Sequence, residues 1–242
     1  MSYTIGVFSK KCGIAPTTLR AWQRRYGLLK PFRTEGGHRL YTDADLKQAL
    51  IILDWIKKGV PVSQVKPLLS GSAPVTTDNW NALQEAILTR LNAGNAESLR
   101  HYIYECGREY PHREFVNEVI RPLRRRLPAN VPSMRMMREI LDGQIIAYTS
   151  FCMESDKKGA GENYYITGWH LADITEIWLE ILIRTGQQMR FNVLPAPPSH
   201  ILPEMFSDKN WVLVTSRQLT VVRQKQITEW KKKLRSLEIV TV

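Results

Sequence analysis

Residues that stop helices crowd the first forty positions of this chain, and they leave room only for short elements. Gly13, Pro16, Gly27 and the Gly36-Gly37 pair divide the segment into pieces of about ten residues. The first piece carries Ile5, Phe8, Ser9 and Cys12 near one face of a short helix, and Gly13 follows as its stop. Pro16 suits the first turn of a second helix, Pro-Thr-Thr-Leu-Arg-Ala-Trp-Gln-Arg-Arg-Tyr, which ends at Gly27. Leu19, Trp22 or Gln23, and Tyr26 recur at three or four residues and face a core. Thr17, Arg20 and Arg24 share a polar face. Two short helices joined by a glycine-containing turn make a helix-turn-helix, with the second helix in the recognition role.

A hairpin is expected next. Leu28–Arg33 and Arg39–Thr42 are short strand candidates joined by Thr-Glu-Gly-Gly-His, with Gly36 and Gly37 supplying positive φ angles. This wing bears Lys30, Arg33, His38, Arg39 and Tyr41, groups suited to phosphates or a minor groove. Thr42-Asp43-Ala44-Asp45 has the character of a capping box, opening a helix with Leu46, Leu50, Leu53 and Ile56 at core spacing and Gly59 as its stop. A last short helix, Val62–Leu69, carries Lys66, counted here among the DNA-binding cations although its helix reads as scaffold. Residues 71–77 form a linker. Charge follows the same boundary. Residues 1–70 hold twelve Lys and Arg against four acids, a net +8 of the chain's +11, the footprint of a polyanion binder.

Taken together, TIGVFSKKCGIAPTTLRAWQRRYGLLKPFRTEGGHRLYTDADL resembles the MerR family, and TLRAWQRRYGLLKP with RTEGGHRLY looks most like its MlrA-type branch. The resemblance covers residues 1–70 and implies a winged helix-turn-helix that binds promoter DNA. It implies that Thr17, Thr18, Arg20 and Trp22 approach the major groove, while Arg33, His38, Arg39 and Tyr41 hold the flanking backbone. An Arg on the polar face suits phosphate or a base edge equally, and Trp22 suits either packing or phosphate contact. The family further implies a homodimer on pseudo-palindromic DNA. The MlrA-type branch is linked to biofilm and curli control and to protein partners from cyclic-di-GMP or light signalling. Activation and repression both remain open.

Beyond the linker, residues 78–158 read as a helical bundle of four segments: Asp78–Asn92, Ala96–Glu109, Arg113–Leu127 and Met134–Asp156. The cluster Arg121, Arg124, Arg125 and Arg126 fits either a solvated face or a contact with DNA or an acidic partner. Residues 159–242 alternate strands and helices, which predicts a small parallel Rossmann-like sheet. The strands are Tyr164–Thr167, Met189–Leu194, Trp211–Thr215 and Glu238–Val242; the helices are Asp173–Thr185 and Thr220–Leu234. The expected fold class is therefore multidomain α and α/β.

A bundle followed by such a sheet resembles the light-sensing, cobalamin-binding relatives of MerR, whose sheet domain carries Asp-x-His-x-x-Gly. Here the matching residues are Gly168-Trp169-His170-Leu171-Ala172-Asp173. His170 is present, but Gly168 stands where the Asp would orient it and Asp173 where the Gly would let the corrin approach. Ser216-Arg217-Gln218-Leu219 matches the Ser-x-Leu motif only loosely, and the later Gly-Gly is missing. No cofactor is expected, with His170 as a weak candidate ligand, and a regulatory protein partner on the C-terminal region is the favoured effector. The alternative is a small-molecule or cobalamin-binding sensor. Cys12, Cys106 and Cys152 lack CxxC spacing, so no metal site is expected, and no catalytic motif points to an enzyme; Asp173, Glu176 and Glu180 read as acids on an exposed helix face. With no leader and no apolar run approaching eighteen residues, the expected place is the cytoplasm, without a membrane.

Overall fold

The computed structural model describes residues 2–71, 78–157, 161–195, 202–216 and 219–242. They fall into two compact units, Met1–Tyr148 and Thr149–Val242. Residues 72–77 of the expected linker, and Arg217 and Gln218 of the loose Ser-x-Leu match, lie outside the described residues.

The first unit opens with a strand that the sequence did not announce. β1 (Ser2–Thr4) pairs antiparallel with the second wing strand (Arg39–Thr42), which pairs in turn with the first (Phe32–Arg33). Three residues are too few for alternation to register, and their partner lies some forty positions away. The two wing strands are β2 and β3, in the order β1-β3-β2. Between β1 and β2 come α1 (Ile5–Cys12), closed by Gly13 at φ 70°, and α2 (Pro16–Ala21). A π-helical turn, Trp22–Tyr26, continues α2 to Gly27 at φ 61°. In the wing turn only Gly37 takes a positive φ, 76°; Gly36 does not, contrary to the expectation for the pair. The turn closes through Thr34 N–H to His38 O at 2.9 Å and Gly37 N–H to Thr34 O at 2.8 Å.

α3 (Asp43–Lys57) starts on a formed capping box: Asp45 N–H donates to Thr42 Oγ1 at 3.2 Å, and Thr42 N–H donates to Asp45 Oδ2 at 2.7 Å. Its buried stripe is Ala49, Ile52 and Ile56, whereas Leu50, expected in the core, is 48% exposed beside Ile51 at 50%. Leu46 and Leu53 are half-buried. The helix is apolar over too wide an arc for spacing alone to choose the buried side. α4 is Val62–Leu69. Phe8, Leu19, Trp22, Leu28, Tyr41 and Ile52 are fully or almost fully buried, and the rings of Phe8 and Tyr41 stack with centroids 4.2 Å apart.

The bundle follows as α5 (Asn79–Asn92) and α6 (Ala96–Glu109). α7 (His112–Glu114), a π-helical turn Phe115–Ile120 and α8 (Arg121–Arg126) then run on, and α9 is Pro132–Lys157. The arginine cluster is a solvated face only in part: Arg125 and Arg126 are exposed, but Arg124 is not. Arg124 is buried and grips Asp142 with two bonds, Nε–H to Oδ1 at 2.8 Å and Nη2–H to Oδ2 at 3.0 Å. Arg126 reaches Glu85 at 2.6 Å and so ties helices together, while Arg121 reaches the Asn117 side chain one turn back at 2.6 Å.

In the second unit β4 (Glu162–Trp169), β5 (Met189–Leu194), β6 (Asn210–Thr215) and β7 (Ser236–Thr241) form a wholly parallel sheet in the order β5-β4-β6-β7. Alternation along β4 sends Ile166 to one face, with Ile177 and Ile181 of α10 (Thr175–Arg184). It sends Trp169 to the other, with Ile227, Trp230 and Leu234 beneath α11 (Val221–Lys233). A short 3-10 turn, Pro203–Phe206, precedes β6. Glu180, read as an exposed acid, is buried and paired with Arg184, whose guanidinium also meets Glu238.

Two outcomes follow from this packing. A Cβ on Gly107 of α6 would lie 2.3 Å from the Tyr148 ring, so Gly107→Ala is expected to cost about 2 kcal/mol in denaturant unfolding. The Tyr41 hydroxyl is buried with no hydrogen-bond partner, so Tyr41→Phe keeps the stack and is expected not to lower the unfolding midpoint.

Candidate nucleic-acid interface

The polar side of α2 is assembled as spacing requires. Thr17, Arg20 and Arg24 are exposed, and neither arginine has an ion pair among the described residues. Leu19 and Ala21 are buried on the inward side. Arg33 and His38 are exposed on the wing, and Lys30 precedes it, also exposed. Arg39 is half-buried, and its Nε–H donates to Gln23 Oε1 at 2.7 Å. That bond ties the wing to the recognition helix and leaves the terminal amino groups of Arg39 for another acceptor. A second tie is Gln48 Nε2–H to Leu28 O at 2.8 Å, which fixes the chain between helix and wing to α3. Lys66 comes from α4, yet its Nζ lies 3.1 Å from where a Cβ on Gly27 would stand. It therefore places a cation beside the end of the recognition helix.

Three expected contact residues turn inward instead. Thr18 and Tyr41 are fully buried, and burial pushes the Tyr41 phenol pKa up. Trp22 is fully buried as well, and its Nε1–H donates to the backbone oxygen of Glu109 at 2.8 Å. The large ring is used for packing and its one donor is taken, so of the two roles open to Trp22 the structure gives it the first. Sequence reading missed Gln23 as the tether of the wing, and missed Arg25 and Tyr26 as partners of Glu109. Nothing in a local pattern links α2 to a residue more than eighty positions away.

In the second unit His170 stands at the carboxyl end of β4 with φ 50°, exposed, its ring centroid 5.0 Å from that of Trp169. Partial burial and the neighbouring Arg223 cation hold its pKa below the usual histidine range. Asp173 accepts Thr175 N–H at 3.0 Å, a bond to the first residue of α10. Gly168 is buried inside β4. A cobalt-ligating histidine needs a carboxylate or carbonyl partner on its other nitrogen. With Gly168 offering no carboxylate to orient it and the Arg223 cation beside it, His170 does not fit cobalt ligation in cobalamin.

Comparison with known proteins covers the whole arrangement. Residues 3–72 match the family described as MerR HTH family regulatory protein. Residues 80–154 match the helical domain, and 161–236 the C-terminal domain, of the family described as Transcriptional regulator MlrA. Over 229 residues the chain is 42% identical to the HTH-type transcriptional regulator MlrA of Escherichia coli (strain K12), covering 95% of this chain and 94% of that one. The regulator of the same name from Salmonella typhimurium is 41% identical over 229 residues, with 95% and 94% covered. The HTH-type transcriptional repressor CarH of Myxococcus xanthus is 41% identical over 71 residues, 28% of this chain and 23% of its own. The chain belongs to the MlrA branch of the MerR family of DNA-binding transcription regulators.

Proposed function

We infer that this regulator binds a pseudo-palindromic promoter element as a homodimer, with α2 in the major groove and the wing on the flanking backbone. The observation that carries the reading is the two-sidedness of α2. Thr17, Arg20 and Arg24 are exposed, while Leu19 and Trp22 are sealed inside the first unit. A short helix with one side committed to packing can present only its other side to base edges. Arg33, His38, Arg39 and Lys66 flank that side and suit phosphate oxygens. One such helix per chain reads one half-site, so a two-fold element calls for a second chain. Binding by two rigidly held heads distorts the promoter between them, and the deformation energy becomes the controlled quantity.

The second unit receives the signal in this reading, through a protein partner rather than a cofactor. Its surface leaves Leu202, Met205, Val221 and Val222 exposed, apolar side chains of the kind that protein contacts cover. No catalytic step is part of this function. The place of action is the cytoplasm, where the three free, buried cysteines stay reduced. Among the described residues no helix is long and apolar enough to cross a membrane.

The test begins with in vitro selection of bound DNA by the full chain. Arg20→Ala is expected to weaken the selected site by roughly tenfold and relax base preference there, as loss of a base contact does. Arg33→Ala is expected to weaken all sequences alike and to lower the salt slope by about one. Wild-type behaviour of both variants, or a single chain per selected site in sedimentation, overturns this assignment.

A further inference from the structure

The recognition helix is gripped from behind by the bundle. Glu109, the last residue of α6, takes three groups from the π-helical turn that ends the recognition helix. Its backbone oxygen accepts Trp22 Nε1–H at 2.8 Å. Its carboxylate accepts the Tyr26 hydroxyl at 2.8 Å and pairs with Arg25. Glu105, one turn earlier on α6, stands 3.8 Å from the same guanidinium. Burial, reinforced by Glu109, pushes the Tyr26 pKa up to about 12, so the phenol stays a donor at any working pH. Charge-assisted bonds in a half-buried setting are the strong class, and here they converge on one carboxylate. Turns of π geometry inside helices also recur at functional sites.

The side of α2 held in this way is not the side that reads. Trp22, Arg25 and Tyr26 turn to α6, whereas Thr17, Arg20 and Arg24 stay exposed. A contact that blocked DNA would cover those three. Base readout depends on placing side chains to well under an ångström, and a helix anchored by its own last turn inherits its placement from the anchor.

The geometry points to Glu109 as a positioning residue for DNA recognition: acting through Trp22, Arg25 and Tyr26, it fixes how the recognition helix is presented by the bundle. It touches no DNA itself. This goes beyond the proposed function and rests on α2 being the reading helix. It also gives the bundle a direct mechanical hold on the reader, so that movement of α6 reaches the DNA-contacting side chains.

The test uses the full chain, the DNA selected in vitro and a salt series. Glu109→Ala keeps the backbone bond to Trp22 but removes both carboxylate contacts. It is expected to weaken the selected site about tenfold, to change non-specific affinity little, and to leave the salt slope as in wild type. Glu109→Gln, whose amide oxygen still accepts from Tyr26, is expected to recover most of the loss. Both effects need a chain that is folded by circular dichroism. Should Glu109→Ala not fold, Tyr26→Phe deletes one donor to the same carboxylate and is expected to show a smaller loss with the same unchanged slope. Wild-type or tighter binding by the folded Glu109→Ala chain, or by Tyr26→Phe in its place, overturns the proposal, as does a changed slope. Arg20→Ala separates the two levels: if it binds like wild type, the reading of α2 fails first, whereas if it is impaired and Glu109→Ala is not, only the positioning role fails.

Discussion

The burial of Trp22 is the constraint on which the first unit is organised. An indole is large enough to dominate a small core, and its single N–H must find an acceptor when water is excluded. It finds one on Glu109, so the residue at the centre of the helix-turn-helix is satisfied only by the bundle. The second helix of the helix-turn-helix is thereby a core element on one side and exposed on the other, the side that the proposed function gives to DNA. A free-standing head would leave that indole uncovered unless the helix turned to hide it, and such a turn would move Arg20 and Arg24.

Much of this was legible in the sequence, and the parts that were not share one cause. Gly13, Pro16, Gly27 and the capping box at Thr42 act over a few residues, and each marks an element end where the structure has one. The polar set Thr17, Arg20 and Arg24 came from helical spacing and is exposed. Along the bundle and sheet, β5 keeps its expected limits, Met189–Leu194, and α6 keeps Ala96–Glu109. What failed required knowledge of a distant partner. β1 exists only because β3 accepts it. Arg124 reads as a solvated cation until Asp142 of α9 is placed beside it, and Glu180 as an exposed acid until Arg184 and Glu238 close on it. Thr18 and Tyr41 carry the right chemistry for DNA, and the packing of other elements turns them inward, whereas Trp22 is buried on the side where spacing already placed it.

The electrostatics of the head follow from how its few acids are used. Asp45 is engaged in the capping box, Asp43 accepts the Tyr3 hydroxyl at 2.6 Å, and Asp54 pairs with Lys58 at 2.7 Å. The hydrogen bond from Tyr3 holds the Asp43 carboxyl below its usual pKa. None of these three faces Arg20, Arg24, Arg33 or Lys66 with an ion pair among the described residues. Arg25 is the exception among the cations of the recognition helix, and it is neutralised by acids that come from the bundle. Selective pairing of this kind leaves the charge of Arg20 and Arg24 uncompensated by ion pairs among the described residues and offsets that of Arg25, a distribution suited to a polyanion on the exposed side.

The second unit is a parallel sheet closed on one face by its own aromatic side chains. A parallel sheet with helices on both faces presents its strand ends as the natural place for a ligand. Here the α11 face is filled from within the chain by Trp169, Trp211 and Trp230, with Trp169 and Trp230 packed edge to face at 5.1 Å. Trp211 extends the same layer, stacking on Tyr165 at 5.1 Å, and Tyr165 stacks on Phe206 at 5.2 Å. Aromatic side chains of this size bury much apolar area, so this layer is a large part of the core on that face. His170 lies at the surface of this unit, with the Arg223 cation acting on its imidazole. On the proposed function, the exposed faces of this unit are the route by which a protein partner delivers its signal.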